Sequence, residues 1–306
     1  MSKNILLLAI DGGGVRGKIA ATILELLEKD LNKNIHDTFD FFAGTSTGAL
    51  IVLGFTANQH TAETVSSLYS EENLKRIFNK SLWGYMPFPI KAKYNGQGKE
   101  QFLKELFKDK KLLDIKKNTI VTAYDFLNNK AVIFKNTGGC DSDYNPFVSE
   151  VANATTAAPS YFPTVLTSES KPRNLIDGSI IANNPSLCLV IEALKQGYEF
   201  KSIRLLSIGT GYKEVDIGNV VSENWGGYSW RTHGLIEDFI IGDSSMAQYQ
   251  CRLLLGGNYL RIDGYLEKAS IDLDNISAKN LNELQKLGIK WYEENKENIL
   301  NFIKSV

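Results

Sequence analysis

The chain has 306 residues, enough for one large or two modest domains, with 43% hydrophobic and 23% charged residues and a net charge of −1. That balance supports a sizeable core and argues against a dominant electrostatic pull toward nucleic acid polymers or anionic membrane. Three cysteines, Cys140, Cys188 and Cys251, stand far apart with no CxxC spacing. Neither a metal site nor a disulfide framework is expected, and a reducing compartment is the simpler reading.

Residues 4–10 read as a buried strand, continuous, apolar and ended by glycine. This run is too short for a signal-peptide core, and no stretch approaches bilayer-spanning length, so a soluble, cytoplasmic protein is expected. The strand leads into Asp11-Gly12-Gly13-Gly14-Val15-Arg16-Gly17, and residues 17–31 predict a helix with Ile19, Ile23, Leu26, Leu27 and Leu31 at helical spacing. A second buried strand at 39–43 leads into Gly44-Thr45-Ser46-Thr47-Gly48 and an apolar helix at 47–58. Two strand–glycine turn–helix units in succession predict an α/β fold with a mostly parallel sheet covered by helices. Ligands in such sheets sit at the carboxyl ends of the strands, so both turns can serve one site.

Residues 61–116 read as mostly helical, interrupted by Ser81–Ile90, whose aromatic part Trp83–Ile90 is flanked by Lys80, Lys91 and Lys93. A strand pair is expected at 119–127 and 130–135, joined at Asn128-Asn129. A helix at 147–157 precedes Pro159, and the short strand 174–176 leads into Asp177-Gly178. A helix at 185–196, a buried strand at 203–208 ending in Gly209-Thr210-Gly211, and long helices at 235–255 and 279–303 complete the pattern. There is no repeat or evident linker, so residues 1–306 are read as one domain.

Gly44-x-Ser46-x-Gly48 has the form of a nucleophile elbow, in which flanking glycines permit a tight turn that exposes a serine at a helix N-terminus. The bland alternative is a strand–helix turn with an incidental serine. Gly12, Gly13 and Gly14 offer backbone amides for an oxyanion hole, with Arg16 reinforcing or holding that loop. Gly12-x-Gly14-x-x-Gly17 also matches the dinucleotide fingerprint, which keeps a nucleotide- or anion-binding module, or a nicotinamide enzyme, as competitors. Asp11 weighs against those, because its charge stands where a pyrophosphate would approach.

A serine nucleophile needs a base. His36 precedes the second strand at its amino end, His60 follows the helix leaving the elbow, and His233 lies in a Trp/Gly/Tyr-rich segment without a partner motif. Asp177 closes an apolar strand and would reach the same sheet edge if that strand is parallel. A dry site would raise its pKa above the unperturbed value of about 3.9 and strengthen its bond to serine. Asp-Gly is also a common self-bonded turn, and spacing leaves both readings open.

Asp11–Gly17, Gly44–Gly48 and Asp177-Gly178 occur in the order found in the patatin-like phospholipases, which the chain resembles closely. The resemblance extends through Ala154–Pro163, Leu205–Gly211 and Asn258–Ile262, and so over nearly the whole chain. It implies a three-layer fold and a Ser46–Asp177 dyad. Ser46 would attack a phospholipid or lysophospholipid ester, Gly12, Gly13 and Gly14 would hold the oxyanion, and Arg16 would support the loop. Water would then release the fatty acid, with no metal or other cofactor. Ser179 departs from the Gly or Ala often found there, and Asn183-Asn184-Pro185 resembles the segment after the aspartate. Some bacterial members are effectors of anti-phage signalling, switched on by cyclic dinucleotides, and the resemblance admits that role. Trp83–Ile90 and Asn224–His233 are candidate membrane-touching segments for a transient peripheral contact, the latter also a candidate effector pocket. A homo-oligomer is left open.

Overall fold

All six residues of β1 (Ile5–Ile10) are buried, because alternate side chains enter two different cores. Leu6, Leu8 and Ile10 face a cluster built with Ile19, Ile23 and Leu27 of α1 (Gly17–Leu31). Ile5, Leu7 and Ala9 face Leu189, Val190 and Ala193 on the opposite side. A strand buried on both faces needs helices on both faces, and this makes three layers. The computed structural model describes residues 4–79, 91–137, 145–167, 172–213, 226 and 235–304. Trp83–Ile90, Cys140, His233 and, apart from Gly226, the Asn224–His233 segment lie outside them.

After α1 come α2 (Ile35–Thr38), β2 (Phe41–Thr45), α3 (Thr47–Thr56), α4 (Ala62–Ser67), α5 (Glu71–Ile77) and α6 (Gln97–Phe107). Next are β3 (Asn118–Asp125), β4 (Lys130–Lys135), α7 (Val148–Thr155), β5 (Val165–Leu166), β6 (Asn174–Asp177), α8 (Ser179–Ala182) and α9 (Ser186–Lys195). The chain continues with β7 (Ile203–Ile208), α10 (Leu235–Leu255), β8 (Tyr259–Ile262) and α11 (Ala278–Lys304). One sheet runs β5-β6-β3-β2-β1-β7-β8, with β4 also on β3. Strands β3, β2, β1, β7 and β8 are mutually parallel, whereas β4 and β6 each run antiparallel to β3. α1 and α11 cover one face, and α9 and α10 the other.

Two expectations are corrected. The second strand is Phe41–Thr45, not 39–43: Gly44 pairs with both Ile10 and Val121, and ladders on both sides keep it extended. The turn is thereby reduced to Ser46. The strand ending in Asp177 is antiparallel to β3, not parallel. β4 occupies one side of β3 from Ile120 to Asp125, and β2 and β6 share the other. They run toward each other along it: Thr122 pairs with Thr45, and the next residue, Ala123, pairs with Asp177.

Candidate active site

Ser46 is the residue between β2 and α3, with φ 52° and ψ −121°, a left-handed conformation uncommon for a non-glycine residue. The neighbouring glycines make the turn sterically feasible. A Cβ on Gly48 would lie 2.2 Å from the Ile10 carbonyl oxygen, and one on Gly44 would lie 2.5 Å from the Ala49 nitrogen. Helix α3 therefore begins against the backbone of β1 and directs its N-terminal dipole at Ser46.

The converging strands bring Asp177 to this point. The Ser46 hydroxyl donates to Asp177 Oδ2 at 2.6 Å, and Oδ1 accepts from the Ser179 N–H at 2.9 Å and the Ser179 hydroxyl at 2.7 Å. Asp177 is 2% exposed and Ser46 8%. Burial pushes the Asp177 carboxyl above its ordinary pKa, against the opposing pull of the Ser46 and Ser179 hydrogen bonds. Ser179, the residue that departs from the expected pattern, is thus a direct ligand of the aspartate.

The first glycine loop meets the same point: a Cβ on Gly12 would stand 3.3 Å from Ser46 Cβ. The Gly12 N–H donates to Asn183 O at 3.1 Å, and its carbonyl accepts from the Thr210 hydroxyl at 2.6 Å. Among the described residues, the N–H groups of Gly13 and Gly14 have no acceptor. Arg16 ties the loop to the third glycine turn, its Nε donating to Gly13 O at 3.2 Å and its Nη1 to Gly211 O at 2.9 Å.

Asp11 turns away from the loop. Arg261 of β8 grips it with Nη1 at 2.7 Å from Oδ1 and Nη2 at 2.6 Å from Oδ2, and also donates to Asp263 at 2.7 Å and Ser207 at 2.8 Å. The charge of Asp11 is therefore neutralised and does not repel an anion at the glycine loop, contrary to the sequence argument. What distinguishes the site from a phosphate cradle is a serine–carboxylate pair beside Gly12. His36 binds Phe55 O and His60 faces Asn58, so neither touches Ser46 or Asp177. Among the described residues, no group of three His, Cys, Asp or Glu side chains could hold a metal.

Ser46 lines a cleft of ≈ 60 Å³. Leu50, Leu74, Ile77, Phe78, Phe102 and Leu103 give it apolar walls. A serine hydroxyl in the wall of an apolar cleft leaves room beside it for a hydrocarbon chain. Sequence reasoning quoted Asn183, which lies behind Gly12, and Thr155, whose hydroxyl accepts from the Ser46 N–H at 2.9 Å, without giving either this contact, and it missed Lys99 in the cleft wall. Lys99 was legible in principle, as a lysine on the Phe102–Leu103–Phe107 stripe of a helix.

A family model described as patatin-like phospholipase matches residues 8–187. The chain is similar to Patatin-like protein 2 of Oryza sativa subsp. indica, 29% identical over 352 residues, covering 96% of this chain and 85% of that one. It is also similar to a cGAMP-activated phospholipase of Pseudomonas aeruginosa, 31% identical over 294 residues, covering 92% and 86%. Among solved structures, VipD from Legionella pneumophila aligns with a TM-score of 0.49 and 11% identity, over 95% of this chain and 67% of that one. With more than half of its length matched by the family model and a relative above 30% identity along most of both chains, the protein belongs to the patatin-like phospholipase family.

Proposed function

We propose that the protein is a serine-dependent lipid acyl hydrolase working through a Ser46–Asp177 dyad. The observation that carries this is the 2.6 Å hydrogen bond to a buried carboxylate from the hydroxyl of Ser46, which lines an apolar cleft. Ser46 Oγ attacks the ester carbonyl of a phospholipid or lysophospholipid while its proton passes to Asp177 Oδ2. The N–H groups of Gly13 and Gly14 receive the developing oxyanion, and Gly12, tied to Asn183, fixes the loop's approach. Arg16 holds the loop from behind through Gly13 and Gly211. As the intermediate collapses, Asp177 returns the proton to the leaving alcohol, and an acyl-Ser46 ester remains. Water, deprotonated by Asp177, then releases the fatty acid. Such an enzyme works at a lipid interface from the cytoplasm by transient peripheral contact; among the described residues, no helix is long and apolar enough to cross a membrane. The test is labelling by a fluorophosphonate, with the adduct mapped by mass spectrometry. An adduct on Ser46 and loss of phospholipid turnover in Ser46→Ala are expected, and turnover unaffected by Ser46→Ala overturns the reading.

A second reading adds regulation: the hydrolase is switched on by a cyclic dinucleotide. The similarity to the Pseudomonas relative named a cGAMP-activated phospholipase favours it. Fatty-acid release from phospholipid vesicles with and without cGAMP tests it. Stimulation is expected, and full activity without the nucleotide removes it.

A further inference from the structure

Lys99 is 3% exposed, on the buried side of α6. An ammonium carries three protons, and here all three have acceptors: Asn153 O at 3.1 Å, Thr156 O at 3.0 Å and Thr156 Oγ1 at 3.1 Å. The Phe162 ring covers the charge, its centroid 4.4 Å from Nζ. Asn153 and Thr156 belong to the C-terminal end of α7, where orphan carbonyls and the negative end of the dipole favour a cation.

That same turn touches both members of the dyad. Thr155 Oγ1 accepts from the Ser46 N–H at 2.9 Å, and Ala157 O accepts from the Asp177 N–H at 3.1 Å. Thr156, the residue between them, is the one Lys99 grips twice. Lys99 also lines the cleft onto which Ser46 opens.

We propose that Lys99 is a positioning residue for acyl transfer: it locks the Thr155–Ala157 turn that sets both dyad backbones, and its charge keeps Asp177 ionised and ready to accept a proton. The inference rests on the dyad reading above. Ser46 and Ser179 hydrogen-bond the Asp177 carboxylate, and the Lys99 charge acts on it electrostatically. Lys99 feels the charges of Asp177 on β6 and Glu100 on its own helix, while the α7 turn offers it the oxygens of Asn153 and Thr156. Burial pushes the Lys99 ammonium down to about 7, with Asp177 and Glu100 pulling it back up. The charge is therefore present over the acidic range in which Asp177 gains its proton. In that range an opposite charge lowers the pH at which the carboxylate protonates.

The experiment is the pH dependence of kcat/KM on a soluble p-nitrophenyl ester for wild type, Lys99→Arg, Lys99→Gln and Lys99→Met. The rate of fluorophosphonate labelling serves as a second readout. Lys99→Arg keeps the charge and is expected to keep the acid-limb midpoint. Lys99→Gln and Lys99→Met are expected to raise it by about one pH unit, which makes turnover about tenfold slower below the midpoint. A simple helix cap would alter amplitude and stability and leave the midpoint in place. Because the midpoint does not depend on the folded fraction, Lys99→Gln, which retains a donor, suffices if Lys99→Met does not fold. An unmoved midpoint in Lys99→Gln overturns the proposal and leaves the dyad standing. Activity that survives Ser46→Ala overturns the dyad, and the role of Lys99 with it.

Discussion

Arg261 and Asp11, at opposite ends of the sequence, form a two-pronged buried ion pair at 2.6 and 2.7 Å behind the glycine loop. Asp263 extends the network, because its Oδ1 accepts the N–H groups of Gly211 and Gly264 at 3.0 Å while Arg261 holds its Oδ2. Gly211 in turn binds Arg16. Removing one partner of such a pair leaves an uncompensated buried charge.

Arg261→Met is therefore expected to lower stability by about 3–5 kcal/mol, read as a fall in the urea midpoint. Arg261→Lys loses the fork and recovers only part of this. The double variant Asp11→Asn, Arg261→Met should be less damaged than Arg261→Met alone, since its buried carboxylate is gone. A double variant as unstable as the single one would contradict the account.

Ser46→Ala and Asp177→Asn should each reduce kcat by about 10⁴-fold or more while circular dichroism stays native, and the double variant should be no worse than either, as in groups acting as one unit. Multiplicative losses would show that the two residues act separately.

The raised pKa of buried Asp177 has a sign that thermal melting can read. A carboxyl that holds its proton more tightly folded than unfolded stabilises the fold at low pH. That contribution disappears as pH rises through the folded value. The ionised carboxylate is thus a stability cost at neutral pH, and Asp177→Asn removes it. The Tm of Asp177→Asn minus that of wild type should grow as pH rises from about 4, the unfolded carboxyl value, and level off above the folded one. In the same window wild-type kcat/KM should rise, with a midpoint above the ordinary carboxylate range. A Tm difference that shrinks with pH would refute this.

Gly48→Ala should displace α3, because its new methyl would meet the Ile10 carbonyl at 2.2 Å, a backbone atom that cannot rotate away. Overpacking of this kind costs about 1–3 kcal/mol, and the elbow moves with the helix, so esterase activity falls as well. Gly197→Ala, with nothing within 4 Å, is the control. Its φ of +91° gives it a stability cost without an activity loss.

Leu50→Trp should shorten the cleft beyond Ser46. The ratio of kcat/KM for a dodecanoyl over a butyryl p-nitrophenyl ester is expected to drop by about tenfold or more. An unchanged ratio would place the acyl chain elsewhere.

The strand–glycine–helix rhythm made Ser46 and both glycine turns legible: glycine at 44 clears the start of the next helix, and glycine at 48 clears the Ile10 carbonyl of β1. Residues 17–31 and 203–208 fold with the bounds the pattern predicts, since their apolar spacing admits a single buried face or a doubly buried strand. The end of β2 was misplaced: glycine reads as a stop, and only the neighbouring strands keep Gly44 extended. Asp177 was placed at the correct edge through an incorrect orientation, because a four-residue strand carries no mark of its direction. Lys99 escaped notice because an isolated lysine reads as solvated; its acceptors lie more than fifty residues away and appear only once α6 packs on α7.

The shared edge of β3 makes that strand the ruler against which the proposed Ser46–Asp177 dyad is measured. Ser46 and Asp177 are adjacent because the two strands that end at them abut between Thr122 and Ala123. Length can therefore vary in the exposed loops of the connections that join these strands, away from α3, Lys99 and the Thr155–Ala157 turn, without altering the Ser46–Asp177 distance. One residue inserted into β3 at that junction would instead part serine from carboxylate by about 3.4 Å and turn the rest of the strand over. An insertion map of the chain would accordingly show its deepest loss of activity in a strand that contributes no reacting atom.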